Sequence, residues 1–242
     1  MDWYKVKKLP SDRVINSDGV LVKKKVGRPR KTETSFGTAF STTHEKAKQK
    51  KVINATLAKH GRRDGRAIVL DGPGINTTKA LVAAGWRKDN IFIPNFNEPD
   101  FKIIKRKHPQ SYCVPLGRFL HDGNPDGNLD RSICPQQHTI GLIYADYMCS
   151  WNGNKQCCPE RDMEYLFQNK LLMDGSVLGI TIALRTAIKN ETGFVKPAVE
   201  KCISTIQRLA YENGYYAMLH EKGGTYKNGG VMWSGIFTVV QQ

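Results

Sequence analysis

The sequence predicts an α/β fold, a mostly parallel sheet with helices on both faces that closes on an antiparallel strand pair. Three observations predict it. From residue 67 onward, short apolar runs alternate with helix-length segments, the pattern of repeated β-α units. Four of those runs end in Asp71, Asn95, Gly117 and Asp146, as expected at the ligand-binding edge of an open parallel sheet. The last two runs, 215–220 and 231–240, flank a short Gly/Lys/Asn turn, which suits antiparallel pairing.

The elements follow in order. Residues 43–60 read as a polar leading helix with Ala47, Val52, Ile53 and Leu57 on one side, broken by G-R-R-D-G at 61–65. A-I-V-L-D (67–71) is strand one, and Asn76 or Thr77 in the following D-G-P-G-I-N-T-T can cap a helix over 78–84. N-I-F-I-P-N (90–95) is strand two, Pro99 to Lys107 a helix, and S-Y-C-V-P-L-G (111–117) strand three. T-I-G-L-I-Y-A-D-Y (139–147) is strand four, 161–172 a helix, 175–184 strand five, and 197–213 the last helix. Seven strands are expected.

Charge divides the chain of 242 residues, whose net charge is +15. Residues 1–66 hold 18 Lys/Arg against 6 Asp/Glu, whereas the remainder holds 19 against 16. Excess cationic charge confined to one end favours a polyanionic partner, nucleic acid above all. Residues 1–42 are expected to be a basic flexible arm and 43–242 a globular domain. Within the arm, K-K-K-V-G-R-P-R-K (23–31) resembles an AT-hook, with Gly27, Arg28, Pro29 and Arg30 as its core and Lys25 and Lys31 among its flanks. The resemblance implies an extended strip lying in an A·T minor groove. A nuclear localisation signal is the alternative for the same residues.

The N-terminal M-D-W-Y-K-V-K-K-L-P carries no apolar leader, and no run reaches membrane-spanning length. An intracellular protein is therefore expected, nuclear or otherwise DNA-associated, with no membrane partner. Six irregularly spaced cysteines suit thiols in a reducing compartment. Zinc is disfavoured, because the paired C-x₂₋₄-C spacing is missing around Cys134, Cys149, Cys157 and Cys158.

The order of these elements resembles the Rossmann-like, seven-stranded class I S-adenosylmethionine-dependent methyltransferases over about residues 55–242. V-L-D-G-P-G-I-N-T-T matches that family's first motif, although Gly follows Asp71 one residue early. The resemblance implies that Asp71, Gly72, Pro73 and Gly74 wrap the methionine part of S-adenosylmethionine. It also implies that Asn95 and Asn97 meet the ribose, and that Gly117 lies by the adenine. A dinucleotide enzyme is the rival, but G-x-G-x-x-G is absent, as is a P-loop.

The acceptor site is expected at the end of strand four, in Y-A-D-Y-M-C-S-W-N-G-N (144–154). Asp146 can accept a hydrogen bond from a target amine, and Tyr147 or Trp151 can stack on an extruded base. Asn152 and Asn154 can read base edges. Spacing D-x-x-C-S raises a cysteine-dependent pyrimidine C5 mechanism through Cys149, but strand five supplies no second cysteine. A lysine-assisted ribose methylation, pairing Asp146 with a lysine such as Lys59 or Lys170, is a further option. The favoured expectation is a DNA-base methyltransferase targeted by the arm. Its alternatives are an RNA methyltransferase and a catalytically degenerate chromatin-binding protein, and histone tails lie within reach of a DNA-tethered enzyme.

Overall fold

The computed structural model describes residues 13–15, 21–23, 44–122, 135–153, 157–184, 195–220, 223–227 and 230–242. The chain divides into two compact units, Met1–Ser41 and Thr42–Gln242. In the first, β1 (Arg13–Ile15) pairs antiparallel with β2 (Leu21–Lys23), Val14 opposite Val22. This strand pair falls inside the stretch expected to be a flexible arm. Asp18-Gly19 between its strands is a hairpin signal that the charge pattern obscured. Lys25, Gly27, Arg28, Pro29, Arg30 and Lys31 lie outside the described residues.

The second unit is built on one sheet. Its parallel part contains β3 (Arg66–Val69), β4 (Ile91–Pro94), β5 (Ser111–Tyr112), β6 (Ile140–Asp146) and β7 (Leu172–Ala183). Strand order is β5-β4-β3-β6-β7-β10-β8, where β8 is Tyr215–Leu219 and β10 is Val231–Gln241. Both β8 and β7 run antiparallel to β10. An eighth strand, β9 (Gly224–Lys227), extends the edge beside the first half of β10. The sequence placed only a turn there. Tyr226 anchors the strand by burying its ring opposite Met232.

Alternation along the strands sends side chains to two cores. Ala67, Val69, Leu142 and Tyr144 join Ile53 and Leu57 of α1 (His44–His60), Leu81 of α2 (Asn76–Ala83) and Ile104 of α3 (Glu98–Lys107). Ile68, Ile143, Ala145 and Ile180 join Phe119 of α4 (Leu116–Asp122), Leu166 of α5 (Pro159–Gln168) and Ile206 of α6 (Val195–Glu212). Helices therefore cover both faces, as the sequence predicts.

Two boundaries differ from expectation. Strand three stops at Tyr112, because Pro115 offers no N–H to a ladder and the chain turns directly into α4. The helix expected to reach residue 172 ends at Gln168, and Lys170 adopts a left-handed φ of 51° before β7 begins. Among the described residues no helix is long and apolar enough to cross a membrane.

Candidate active site

Parallel pairing carries the ends of β3, β4 and β6 to one edge of the sheet, so the segments after them are neighbours. The turn after β3 is organised by Asp71. Its buried carboxylate accepts from Thr78 N at 2.8 Å, Thr78 Oγ1 at 2.9 Å and Thr77 N at 3.5 Å, capping the first turn of α2. Burial raises the Asp71 pKa, against these hydrogen bonds and the Lys50 charge. The cap thus comes from Asp71, five residues before the helix begins, not from Asn76 or Thr77.

Ile75, a β-branched residue at the N-cap position, is held at φ 45°, ψ 44° with its side chain in the core. That conformation costs about 1–3 kcal/mol and is typical of loops shaped for a ligand. Ile75 N closes the turn onto the Gly72 carbonyl at 2.9 Å, and the Pro73 carbonyl accepts from Lys107 Nζ at 2.5 Å. Gly72 and Pro73 are half-buried, and Gly74 is exposed.

Asn95 and Asn97 follow β4 beside this turn. Asn95 Nδ2 donates to the Asp71 carbonyl at 3.1 Å, and its Oδ1 accepts from Asn97 N at 2.9 Å. Asn97 Oδ1 caps α3 by accepting from Asp100 N at 3.1 Å. A primary amide has two donors and two lone pairs. Among the described residues, one N–H and one lone pair of Asn95, and the whole NH₂ of Asn97, therefore have capacity for a hydroxyl-rich ligand.

Gly117, in the first turn of α4, has a different cause: a Cβ there would collide with Asp162 Oδ1 of α5. Asp162 in turn accepts from Tyr147 Oη at 2.6 Å. Burial lifts the Asp162 carboxyl to about 6, with the Tyr147 hydroxyl and Arg161 opposing.

At the end of β6 the acid meets a lysine. Asp146 is ion-paired with Lys50 of α1, their side chains 19% and 22% exposed for lysine and aspartate. Lys50 Nζ also donates to Tyr144 Oη at 2.6 Å and sits 4.7 Å from that ring's centroid. Tyr144 Oη is bonded to Thr181 Oγ1 of β7 at 3.0 Å, and Tyr226 of β9 feels the charges of both Asp146 and Lys50. Burial lowers the Lys46 amine below the ordinary lysine range; Asp146 opposes this and Lys50 adds to it. Burial, followed by the Asp146 charge, raises the Tyr144 phenol well above its ordinary value, so it stays a neutral donor and acceptor.

The lysine expected beside Asp146 was Lys59 or Lys170. Lys59 is exposed in the last turn of α1, and Lys170 bonds through its carbonyl to His138 N before β6 starts, away from Asp146. Lys50 was legible in principle. Lys46, Gln49, Lys50, Ile53, Asn54 and Leu57 recur at helical spacing and form the inward stripe of α1. Ala47 and Val52, assigned to that side from the sequence, face solvent instead.

Tyr147 and Trp151 are only 3% and 6% exposed and belong to the core on the α4–α6 face. The apolar environment under the sheet end takes most of both rings. Trp151 does line a cavity of about 210 Å³ with Ser150, Asn152, Ile182, Leu184 and Lys201. Its buried Nε1 has no hydrogen-bond partner among the described residues. Asn154 lies outside the described residues. Among the described residues no group of three or more His, Cys, Asp or Glu side chains could hold a metal.

No protein-family model and no curated protein matches the sequence. Solved structures match the fold. Magnesium protoporphyrin IX methyltransferase from Synechocystis PCC 6803, solved with bound S-adenosylmethionine, aligns over 87% of this chain and 92% of its own, with TM-score 0.52 and 12% identity. The chain has the class I methyltransferase fold. N-methyltransferase NodS from Bradyrhizobium japonicum WM9 aligns over 81% of this chain and 97% of its own at 12% identity, with TM-score 0.49. A protein named as a transferase from Pyrococcus horikoshii aligns over 84% of this chain at 15% identity with TM-score 0.47, and this chain spans 66% of its length.

Proposed function

We propose that the chain is an S-adenosylmethionine-dependent methyltransferase acting on nucleic acid, and that its acceptor is a hydroxyl rather than a base amine. The observation that carries the choice of acceptor is the Lys50–Asp146 pair at the end of β6, with Lys46 buried beside it. An exocyclic amine needs acceptors to orient it and a platform for its ring. Here Asp146 is engaged by a cation, and Tyr147 and Trp151 are buried in the core. A hydroxyl instead needs a nearby base and a positive field that stabilises its oxygen as the proton leaves.

The turn Asp71–Gly74 would hold the methionine part of the cofactor, the remaining amide groups of Asn95 and Asn97 its ribose hydroxyls, and the Leu116–Gly117 segment its adenine. Capacity in both amides, beside the strained Ile75 turn, fits such a ligand. When bound, the cofactor supplies an electrophilic methyl group on a sulfonium. Asp146 accepts a hydrogen bond from the acceptor hydroxyl and aims its oxygen. Lys46, with its amine pushed toward neutrality by burial, takes the proton. Lys50, fixed by Tyr144 and Thr181, keeps Asp146 in place and stabilises the developing negative charge.

The charge of residues 1–66 supports a polyanionic acceptor. A free hydroxyl at each sugar distinguishes RNA from DNA, so RNA ribose is the proposed target. The DNA-base alternative would need a stacking platform from another part of the chain. Calorimetry with S-adenosylmethionine tests the first half of the proposal. One binding site per chain is expected, and absence of binding would favour the degenerate, chromatin-binding alternative.

A further inference from the structure

Cys149, three residues past Asp146, and Cys157, two residues before α5, bring their sulfurs to 2.6 Å. Both are free thiols, already within reach of the bond of about 2.05 Å that would join them. The backbone on either side holds this juxtaposition. Ala183 N of β7 donates to the Cys149 carbonyl at 2.9 Å, and Gly153 N closes a turn onto the Ser150 carbonyl at 2.9 Å. Gly153 has φ 60°, and a Cβ there would collide with the Cys157 carbonyl, so this turn brings the two strands of chain together only with glycine. The neighbouring thiol of Cys158 instead faces the Asn152 carbonyl at 3.7 Å. Cys149, followed by burial, pushes the Cys157 thiol well above the ordinary cysteine range.

We propose that Cys149 and Cys157 are a reversible dithiol/disulfide pair that staples the end of β6 to the start of α5. A disulfide oxidant such as glutathione disulfide completes the chemistry. The Cys149 thiolate attacks one of its sulfurs and expels one glutathione thiolate. The Cys157 sulfur then attacks the mixed disulfide at Cys149, releases the second glutathione, and leaves its proton with solvent or the departing thiolate. Two protein thiols and one disulfide become one protein disulfide and two thiols. The inference stands on the geometry of the pair and does not depend on methyl transfer.

The test uses the full chain, oxidised with glutathione disulfide, alkylated and digested with trypsin without reduction. Lys155 lies between the two cysteines, so cleavage there leaves the bond joining the peptides 132–155 and 156–161. That cross-link is expected, is lost on treatment with dithiothreitol, survives in Cys158→Ser and disappears in Cys149→Ser. A cross-link that persists in Cys149→Ser, or complete alkylation of Cys149 and Cys157 after oxidation, would overturn the proposal. A second readout guards against a variant that misfolds. Closing a nine-residue ring should slow hydrogen exchange of the Gly153 and Ala183 amides by up to about 80-fold in the oxidised wild-type chain. Equal exchange in the two redox states would refute the staple.

Discussion

Replacing Lys50 by Met removes the cation from the centre of the candidate site while keeping most of the stem's apolar contact. Two bonds are lost, to Asp146 and to Tyr144 Oη. Charge-assisted hydrogen bonds of this kind contribute about 1.5–3 kcal/mol each. About a fifth of each side chain in the ion pair is exposed, so water restores part of what Asp146 loses. The net destabilisation is then about 2–4 kcal/mol, a fall in Tm of roughly 5–15 °C for a domain near 200 residues. The effect on catalysis should be larger than stability alone explains, about 10²- to 10⁴-fold in methyl-transfer rate. Affinity for S-adenosylmethionine should change by less than about threefold, because Lys50 bonds Asp146 and Tyr144 and reaches Asp71 only through its charge. Single-turnover transfer to RNA, with calorimetry for cofactor binding, measures both. Lys50→Met/Asp146→Asn should be scarcely slower than either single variant, since groups acting as a unit are not additive. Independent, additive losses, or an unchanged rate in Lys50→Met, would refute the reasoning.

Other outcomes follow from the same contacts. Lys46→Arg keeps positive charge beside Asp146 but cannot lose its proton, so the rise of transfer rate with pH below the ordinary lysine range should disappear; a pH–rate profile checks this. Asp162 is held at about 6, above its unfolded value of about 3.9. The native state therefore binds the extra proton between those values, and its contribution is present at acid pH and lost as pH rises through 6. The full difference amounts to about 3 kcal/mol, of which about 2 kcal/mol falls between pH 4.5 and 7.5, and urea titrations at those two pH values should show that slope flattened in Asp162→Asn. In Gly179→Ala, the new Cβ would lie 2.8 Å from Tyr144 Cδ2 and 2.9 Å from Leu57 Cδ2. Overpacking of this kind costs about 1–3 kcal/mol; it should lower Tm and, by displacing Tyr144 from Lys50, slow transfer more than it weakens cofactor binding.

Most of the sheet was legible because buried parallel strands such as Ile91–Pro94 and Ile140–Asp146 are unbroken apolar runs closed by turns. Strand β9 escaped because G-T-Y-K has a single apolar anchor, Tyr226, whose burial depends on Met232 across the ladder. Position at the sheet edge was legible for Asp71, Asn95 and Asp146, but side-chain engagement was not. Asp71 works as a cap for α2, a role set by the left-handed Ile75 that no local propensity indicates. Tyr147 looked like a platform because it follows Asp146. Yet strand alternation turns it to the opposite face, toward Asp162. Lys50 was overlooked because a lysine on a polar helix resembles a solvated one. Its position three residues before Ile53, on the buried stripe, was the signal.

The central claim, methyl transfer to a ribose hydroxyl of RNA through the Lys50–Asp146 centre, is tested most directly by nucleoside mass spectrometry. Wild-type chain and Lys50→Met are incubated with methyl-labelled S-adenosylmethionine and a mixture of RNA and DNA, and the digested nucleosides are resolved. The account predicts label on the 2′-oxygen of ribonucleosides with wild type, reduced about 10²-fold or more with Lys50→Met. Label on a base, on deoxyribonucleosides, or at equal levels with both chains would contradict it.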